Sequence, residues 1–570
     1  MLELVDPLSR LRDALGRISF TLPLDGSTAA EEVRTELSDQ LSDYVIPRLS
    51  SIDAPLLVVL GGSTGSGKST ITNSIVGANL SLAGVLRPST RTPVLVCRPD
   101  DRAWFATGGV LPTLARSTGD RPTGSGLHLM TSDALPVGLA LLDAPDIDSV
   151  EVANHELAAQ LLGAADAWLF VTTASRYADA VPWEYLRRAR DRSVALAIVI
   201  NRVPPGAGDE VIEHLRWMLG ENGLPDVVVM SIAERTDGLD GLDGLDGLHD
   251  GRIPEADVAV VRNWLDELVR GDRSTEVVLG TLSGALDSMP ERVGMVGAAL
   301  DAQLDALDDL RRISHDEYQA SLGRLDDELG SGTLLRGEVL DRWREHVGTS
   351  AVMERLQQGV GRLRDRIRSM LTKTPIDVEA TKDQLGSNLE TLVRNHADRA
   401  ALATVEHWEH SAGGANVLAD APRGIDRPTA SLTSRLDREL GDWQDGVLQV
   451  VRDEAGNKLA LARFVSIGLN GISVAVMIAV FSQTGGLTGA EAGVAAGTAA
   501  VTQTLLTAIF GDSALRELVQ TARDDLRLRL AGVFEVERAR FDALLAAHSA
   551  GDERRVLDDA ADAVRTARRS

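Results

Sequence analysis

The spacing of apolar residues changes along this chain of 570 residues. From Ala54 to about Ala233, short apolar runs alternate with segments whose apolar residues recur at helical spacing. Such alternation predicts a mostly parallel β-sheet with helices on both faces. The predicted strands read LLVVL, TPVLVCR, VGLALLD, AWLFVTT, ALAIVINR and VVVMS. This part of the chain therefore belongs to the α/β fold class.

Elsewhere the apolar residues follow helical spacing. Residues 1–53 contain two such segments, and from Pro254 onward the pattern is helical, with heptad-like pieces such as VGAALDAQLDALDDLRRI. The acidic repeat DGLDGLDGLDGLHDG separates the α/β region from the helices and is typical of a flexible loop. We predict N-terminal helices that pack with a stalk, an α/β domain, a helical neck and stalk, a hydrophobic hairpin or paddle, and a returning C-terminal helix. Their predicted bounds are 1–53, 54–252, 253–455, 456–511 and 512–570.

Charge and cysteine content narrow the classes of function. The net charge of −26 argues against nucleic-acid binding, because neutralising a phosphate backbone needs a basic surface. It also argues against electrostatic docking on anionic lipid, so any membrane contact must be mainly hydrophobic. Cys97 is the only cysteine, which excludes a disulfide framework and a cysteine-based metal site. The N-terminus lacks the features of a signal peptide.

One segment of the helical region carries no charge over 19 residues, from Phe464 to Ser482. As a helix it would extend about 28 Å, close to the thickness of a bilayer core. A second run, AEAGVAAGTAAVTQTLLTAIFG, follows a glycine-bearing link and contains one charged residue, Glu491. The pair predicts a transmembrane hairpin with both ends in the cytosol. Two alternatives remain: a paddle that inserts conditionally, and a helical hairpin buried in the protein.

The motif with the clearest chemistry is GSTGSGKS, residues 62–69, which fits G-x-x-x-x-G-K-[ST] between a predicted buried strand and a predicted helix. Glycines allow such a loop to turn its N–H groups toward a phosphate, and the helix N-terminus favours the same anion. Lys68 is the only lysine before Lys373 in a chain that otherwise uses arginine, which suggests a site that a guanidinium does not fit. The predicted phosphate-binding residues are Gly62, Ser63, Thr64, Gly65, Ser66, Gly67, Lys68, Ser69 and Thr70.

Further candidates follow other predicted strands. Asp143 ends the strand VGLALLD, where a carboxylate can hold Mg²⁺ together with the Ser69 hydroxyl. Thr90, with Thr92 as the second choice, lies in a loop whose threonine can reach Mg²⁺ and the terminal phosphate. The predicted metal ligands are thus Ser69, Thr90 and Asp143, and the predicted catalytic residues are Lys68 and Thr90. Asn201, Arg202 and Ser231 stand where a GTPase reads its base.

The order of these motifs resembles the dynamin-like branch of the translation-factor-related GTPases. The segment STRTPVLV is similar to the first switch of that family, and the order of GTPase domain, long helices, apolar segment and returning helix resembles bacterial dynamin-like proteins. The resemblance implies GTP and Mg²⁺ as cofactors and slow or assembly-stimulated GTP hydrolysis. It also implies partners in membrane lipid and in further copies of this chain or a related one, and a place on the cytoplasmic side of the bacterial membrane.

Two motifs depart from the family pattern. The DxxG motif reads DAPD, so Asp146 stands where the family has the glycine that meets the terminal phosphate. The NKxD motif reads NRVP, without the aspartate that accepts hydrogen bonds from guanine, so preference for GTP over ATP rests on the resemblance. An Era-like membrane-linked switch and a nucleotide-gated scaffold with little hydrolysis remain alternatives.

Overall fold

The computed structural model describes residues 2–79, 92–106, 110–119, 126–148, 152–191, 194–234, 252–330, 378–455, 468–482, 506–507, 510–549 and 551–569. The chain divides into two compact units. The first, called here the α/β unit, consists of Met1–Phe20, Asp25–Asp301 and Ala550–Ser570. The second, called the helical unit, consists of Thr21–Leu24 and Ala302–Ser549.

The α/β unit contains a sheet of eight strands in the order β3-β4-β2-β5-β1-β6-β7-β8. Every neighbouring pair is parallel except β2 and β5, which are antiparallel. The strands are β1 Leu56–Gly62, β2 Val94–Cys97, β3 Arg116–Ser117, β4 Leu127–Thr131, β5 Leu139–Asp143, β6 Ala167–Thr173, β7 Ala195–Val203 and β8 Val228–Ala233. The six apolar runs predicted as strands are all strands of this sheet, and the prediction missed β3 and β4.

Helices cover both faces of the sheet. The helices of the α/β unit are α1 Val5–Leu15, α2 Ser27–Gln40, α3 Ile46–Ser50, α4 Lys68–Val76, α5 Arg102–Ala106, α6 Val152–Gly163, α7 Ala180–Asp191, α8 Gly208–Glu221, α9 Glu255–Leu268, the part of α10 (Arg273–Gly330) up to Asp301, and α16 Glu553–Arg569. A π-helical turn, Leu41–Val45, joins α2 to α3.

Alternate residues of β1 enter two different cores, because side chains of a strand point to opposite faces of its sheet. Leu56 and Val58 belong to the core that contains residues of α4 and α9. Leu57 and Val59 belong to the core that contains residues of α6, α7 and α8. This arrangement confirms the predicted α/β class with helices on both faces.

A buried ion pair joins the N-terminal helices to the sheet. Arg48 in α3 donates two hydrogen bonds to the carboxylate of Asp166, at 2.9 and 2.5 Å, and both side chains are buried. Asp166 also accepts a hydrogen bond from the backbone N–H of Leu57 at 2.7 Å. Because a buried charge without its partner is costly, this pair holds α3 against the start of β1.

The helical unit is built from the rest of α10 and from α11 Val378–Glu409, α12 Gly414–Ala419, α13 Leu432–Ala455, α14 Gly468–Ser482 and α15 Asp512–Ala546. Its core contains apolar residues from each of these helices. Trp408 donates its indole N–H to the Leu310 carbonyl oxygen at 2.9 Å, and its ring lies edge-on to Phe541. A long helical region was predicted from Pro254 onward, and the structure confirms it. The predicted domain bounds stay a prediction.

Helix α14 carries the apolar segment for which the sequence predicted a membrane span. Its side chains at Ile472 and from Val474 to Phe481 are at most 4% exposed and belong to the core of the helical unit. Phe481 packs against Trp443 of α13, with 5.9 Å between ring centroids. Helices α11, α13 and α15 all contact α14.

The predicted transmembrane helix is therefore not supported. Within the described residues, no helix combines the length and the apolar character that crossing a bilayer requires. The apolar surface of α14 is covered by other helices of the same unit, as in the buried-hairpin alternative. Most of the second apolar run, from Ala490 to Gly511, lies outside the described residues.

Candidate nucleotide-binding site

The loop between β1 and α4 has the backbone conformation that its glycines allow. Gly62, Gly65 and Gly67 have φ angles of +150°, +73° and +99°, which residues with a side chain rarely adopt. At Gly62 a Cβ atom would lie 2.0 Å from the carbonyl oxygen of Val171 in β6, so no larger residue fits there. The glycines thus turn the chain from a buried strand into the first residue of α4, Lys68.

Lys68 lies at the N-terminus of α4 with its ammonium group held inside the loop. Its Nζ donates hydrogen bonds to the carbonyl oxygens of Gly62, at 2.8 Å, and Ser63, at 3.2 Å. It also forms an ion pair with Asp146, at 2.5 Å from Nζ to Oδ1. The Lys68 side chain is 4% exposed and that of Asp146 is 13% exposed, so the pair is largely shielded from water. Loop carbonyls and a carboxylate therefore fix the charge where a P-loop lysine engages phosphate.

Ser69 and Asp143, two of the three predicted magnesium ligands, are in contact with each other. The Ser69 hydroxyl donates a hydrogen bond to Asp143 Oδ2 at 2.6 Å, and Asp143 is buried at the end of β5. A hydroxyl and a carboxylate are hard oxygen ligands of the kind that Mg²⁺ prefers, so this donor set fits a magnesium ion shared with phosphate. The described residues contain no group of three or more His, Cys, Asp or Glu side chains that could hold a metal. Thr90, the third predicted metal ligand, lies outside the described residues.

Two loop hydroxyls also fit an anionic ligand. Ser63 and Ser66 are almost fully buried, and their Oγ atoms make no hydrogen bond within the described part of the chain. Buried hydroxyls normally have a partner, so their placement in this loop suits a ligand with several acceptor oxygens. Thr70 lies one helical turn before Ser74, whose hydroxyl donates to the Thr70 carbonyl oxygen at 2.6 Å.

A network that the sequence analysis missed holds the outer part of the loop. Asp148 accepts hydrogen bonds from the backbone N–H and the hydroxyl of Thr64, at 2.6 and 2.7 Å. Arg176 donates to Asp148 at 2.7 Å and to the Thr64 carbonyl oxygen at 3.1 Å. A second carboxylate, Asp179, accepts from Arg176 Nε at 2.9 Å. Arg176 therefore clamps the loop at Thr64.

The network also sets the ionisation of its members. Burial raises the pKa of Asp148, but the hydrogen bonds from Thr64 and Arg176 outweigh burial and lower this pKa below its ordinary value. The hydrogen bond to Asp148 raises the pKa of the Arg176 guanidinium, which burial opposes. Both groups are therefore charged near neutral pH, and each compensates the charge of the other.

Asn201 braces the inner part of the loop. Its Nδ2 donates to the Ser66 carbonyl oxygen at 2.9 Å, and its Oδ1 accepts from the Arg202 backbone N–H at 2.9 Å. Arg202 has an exposed side chain and a φ of +54°, at a register irregularity between β7 and β8. Ser231 lies in β8 opposite Ile200, the residue before Asn201.

The structure thus brings most of the predicted site residues to one edge of the sheet. Lys68, Ser69, Asp143 and Asn201 all make contacts in or beside the loop, as described above. Arg176 and Asp148 were missed, although each follows the carboxyl end of a strand that neighbours β1, namely β6 and β5. Position after such a strand was the signal that could have found them, because carboxyl ends of parallel strands share one edge.

The fold and this loop define the class of the structure: an α/β fold with a glycine turn of the P-loop type, together with a long helical region. Among the solved structures similar to this chain, three that align with nearly its whole length are described as bacterial dynamins. One is an oligomerised bacterial dynamin pair, described as a mechanism for long-range sensing and tethering of membranes, with 10% identity, a TM-score of 0.44, and coverage of 97% of this chain and 96% of that chain. Another is LeoA, a bacterial dynamin GTPase from ETEC, with 13% identity, a TM-score of 0.23, and coverage of 96% and 98%.

Era from Aquifex aeolicus, bound to GDP and AlF4⁻, aligns with a smaller part of the chain. It has 19% identity and a TM-score of 0.24, covering 38% of this chain and 57% of that chain. No family model and no curated protein matches the sequence.

Proposed function

We propose that this chain binds GTP with Mg²⁺ at the loop from Gly62 to Ser69 and hydrolyses it. The observation that carries the proposal is the placement of Lys68. Its ammonium group lies inside the glycine turn at the N-terminus of α4, and the following residue, Ser69, donates a hydrogen bond to Asp143. This combination of a fixed cation, a helix N-terminus and hard oxygen ligands suits a nucleotide triphosphate and its metal.

Each residue of the site would have a distinct role. Loop N–H groups and Lys68 would bind the phosphates, and Ser69 and Asp143 would hold Mg²⁺, directly or through water. The metal would neutralise phosphate charge. Asn201 would keep the loop in shape through the Ser66 carbonyl, and Arg176 would do so through Thr64 and Asp148. Thr90 remains the proposed switch residue, and water is the proposed nucleophile, since positioning accounts for most of phosphoryl-transfer catalysis.

The experiment is nucleotide turnover by the purified chain, with GTP and ATP tested separately, with and without liposomes. Lys68→Ala should abolish turnover and weaken binding, whereas Arg12→Ala, at a partly exposed side chain of α1, should leave both unchanged. Turnover of GTP that Lys68→Ala removes supports the proposal. Faster turnover of ATP would reject the guanine preference, and turnover that survives in Lys68→Ala would reject this site.

A nucleotide-gated scaffold with little hydrolysis is the second candidate. The ion pair between Lys68 and Asp146 favours it, because a carboxylate already neutralises the cation that phosphate would use. Tight binding of GTP without turnover, with liposomes present or absent, would select this candidate over the GTPase.

We further propose that the chain acts as a dynamin-like assembly on the cytoplasmic side of a bacterial membrane, with lipid and other copies of itself or a related chain as partners. The support is the uncharged segment from Phe464 to Ser482 and the resemblance of the motif order. Because α14 is buried in the helical unit, lipid contact through this segment requires α14 to leave its core.

Flotation with liposomes and analytical ultracentrifugation, each with GTP, GDP and no nucleotide, test this part. Lipid binding and assembly that depend on GTP would support it. A chain that stays monomeric and unbound to liposomes with every nucleotide would reject it and leave an Era-like switch.

A further inference from the structure

Asp146 forms an ion pair with Lys68, the cation of the loop that would bind a phosphate. Its carboxylate is 2.5 Å from Lys68 Nζ, and the other acceptors of Lys68 among the described residues are the backbone carbonyls of Gly62 and Ser63. Those carbonyls are fixed by the turn, whereas Asp146 can leave by rotation of its side chain. Because each N–H donor of the ammonium group has an acceptor, a phosphate oxygen can bind Lys68 only by displacing one of them. The displaceable acceptor is Asp146.

The neighbouring carboxylate does not compete in this way. Asp148 has its own cation, Arg176, and its own hydrogen bonds to Thr64. Its charge is therefore compensated without Lys68. Asp146 and Asp148 are two residues apart, yet one is bound to a clamp on the loop and the other to the phosphate-binding cation.

We propose that Asp146 determines the choice between nucleoside diphosphate and triphosphate by competing with the terminal phosphate for Lys68. The inference rests on the proposed function. A P-loop lysine reaches the β-phosphate and the terminal phosphate, so a carboxylate on its Nζ faces the additional charge of a triphosphate. Like charges in a site shielded from water repel strongly. The native chain consequently favours the diphosphate, and the triphosphate binds well only when Asp146 has moved away.

The test is binding of GDP and of a non-hydrolysable GTP analogue, each with Mg²⁺, measured by calorimetry. Asp146→Asn keeps the shape and removes the charge, and Asp146→Gly removes the side chain. Both variants should bind the analogue at least about tenfold more tightly, while GDP affinity changes less than about threefold. Asp226→Asn is the matched control, because Asp226 is exposed and lies just before the amino end of β8, whereas the loop follows the carboxyl end of β1. It should change neither affinity.

Several results would overturn the proposal. These are an equal gain for both nucleotides, no gain for either in both variants, or weaker binding of the analogue. Weaker binding that excess Mg²⁺ restores would show that Asp146 serves the metal instead. If the native chain binds GDP but the variants show no selective gain, this inference fails and the proposed function stands. If neither the native chain nor the folded variants bind any nucleotide, the proposed function fails with it.

Discussion

The loop from Gly62 to Ser69 and the helix α14 both have a clear sequence pattern. The two patterns differ in how much of the three-dimensional structure they specify. In the loop, residue types and spacing predicted a glycine turn between a buried strand and a helix, and the structure has that turn, with Lys68 as the first residue of α4. In α14, an uncharged apolar run predicted a span of the membrane, and the structure does not support that prediction. The structure places α14 among the helices of its own unit, and no described helix is long and apolar enough to cross a bilayer.

The physical reason is the directionality of the interactions. Hydrogen bonds and positive φ angles have fixed geometry, so a motif made of them specifies one local structure. The hydrophobic effect is non-directional and depends on the area removed from water, so it does not distinguish lipid from protein as the cover. A run such as GLNGISVAVMIAVFS therefore fixes burial and leaves the partner open.

The largest expected effect comes from placing a charge in α14. Val476 is fully buried among apolar side chains, so Val476→Asp should lower the free energy of unfolding by about 4 kcal/mol or more, because burying a charge there carries a large desolvation cost. Leu528 in α15 is 74% exposed, and Leu528→Asp should change it by less than about 0.5 kcal/mol. Denaturant unfolding in the absence of lipid measures both. Equal stability of the two variants would mean that α14 is not packed in the protein.

The second prediction concerns the backbone of the loop and compares glycine-to-alanine substitutions at two positions. Gly62→Ala should lower the free energy of unfolding by more than about 3 kcal/mol, because its Cβ would overlap the backbone oxygen of Val171 and β1 would have to shift. Gly77 also has a positive φ, +68°, but a Cβ there has no neighbour within 4 Å. Gly77→Ala should therefore cost only about 1 kcal/mol from backbone strain. Thermal unfolding compares them, and similar costs would contradict the described geometry at Gly62.

The smallest effect is expected at the clamp. Asp148→Asn should lower stability by roughly 1 kcal/mol at neutral pH, a figure reduced because Arg176 is partly exposed. Since the folded-state pKa of Asp148 is lowered, its contribution is present above the ordinary carboxyl pKa and is lost as the pH falls through the lower, folded-state value. The native chain should thus lose the stability contributed by Asp148 in acid. The free energy of unfolding of the variant should not show this decrease. Parallel pH profiles would disprove the role of this carboxylate.

Sequence patterns predicted the sheet and the centre of the site but not its supports. Six strands and the Ser69–Asp143 contact follow from apolar runs and strand-end positions, which are local signals. The clamp of Arg176 on Thr64, and the pair of Arg48 with Asp166, join residues 112 and 118 positions apart. No local pattern specifies such pairs, because they depend on which strands become neighbours. Asn201 was predicted to read a base, whereas its described contacts brace the loop.

Nucleotide binding with Mg²⁺ at the loop around Lys68 is the proposal on which the other proposals depend. The most direct measurement is calorimetric titration of the native chain and Lys68→Ala with GDP, the GTP analogue and ATP, with Mg²⁺ and with a chelator. We expect the native chain to bind guanine nucleotides and Lys68→Ala to weaken this binding by at least about a hundredfold, consistent with loss of a buried charged contact worth about 3 kcal/mol. Triphosphate binding should also fall when Mg²⁺ is removed. Equal binding by the native chain and Lys68→Ala, or no nucleotide binding by either, would contradict it.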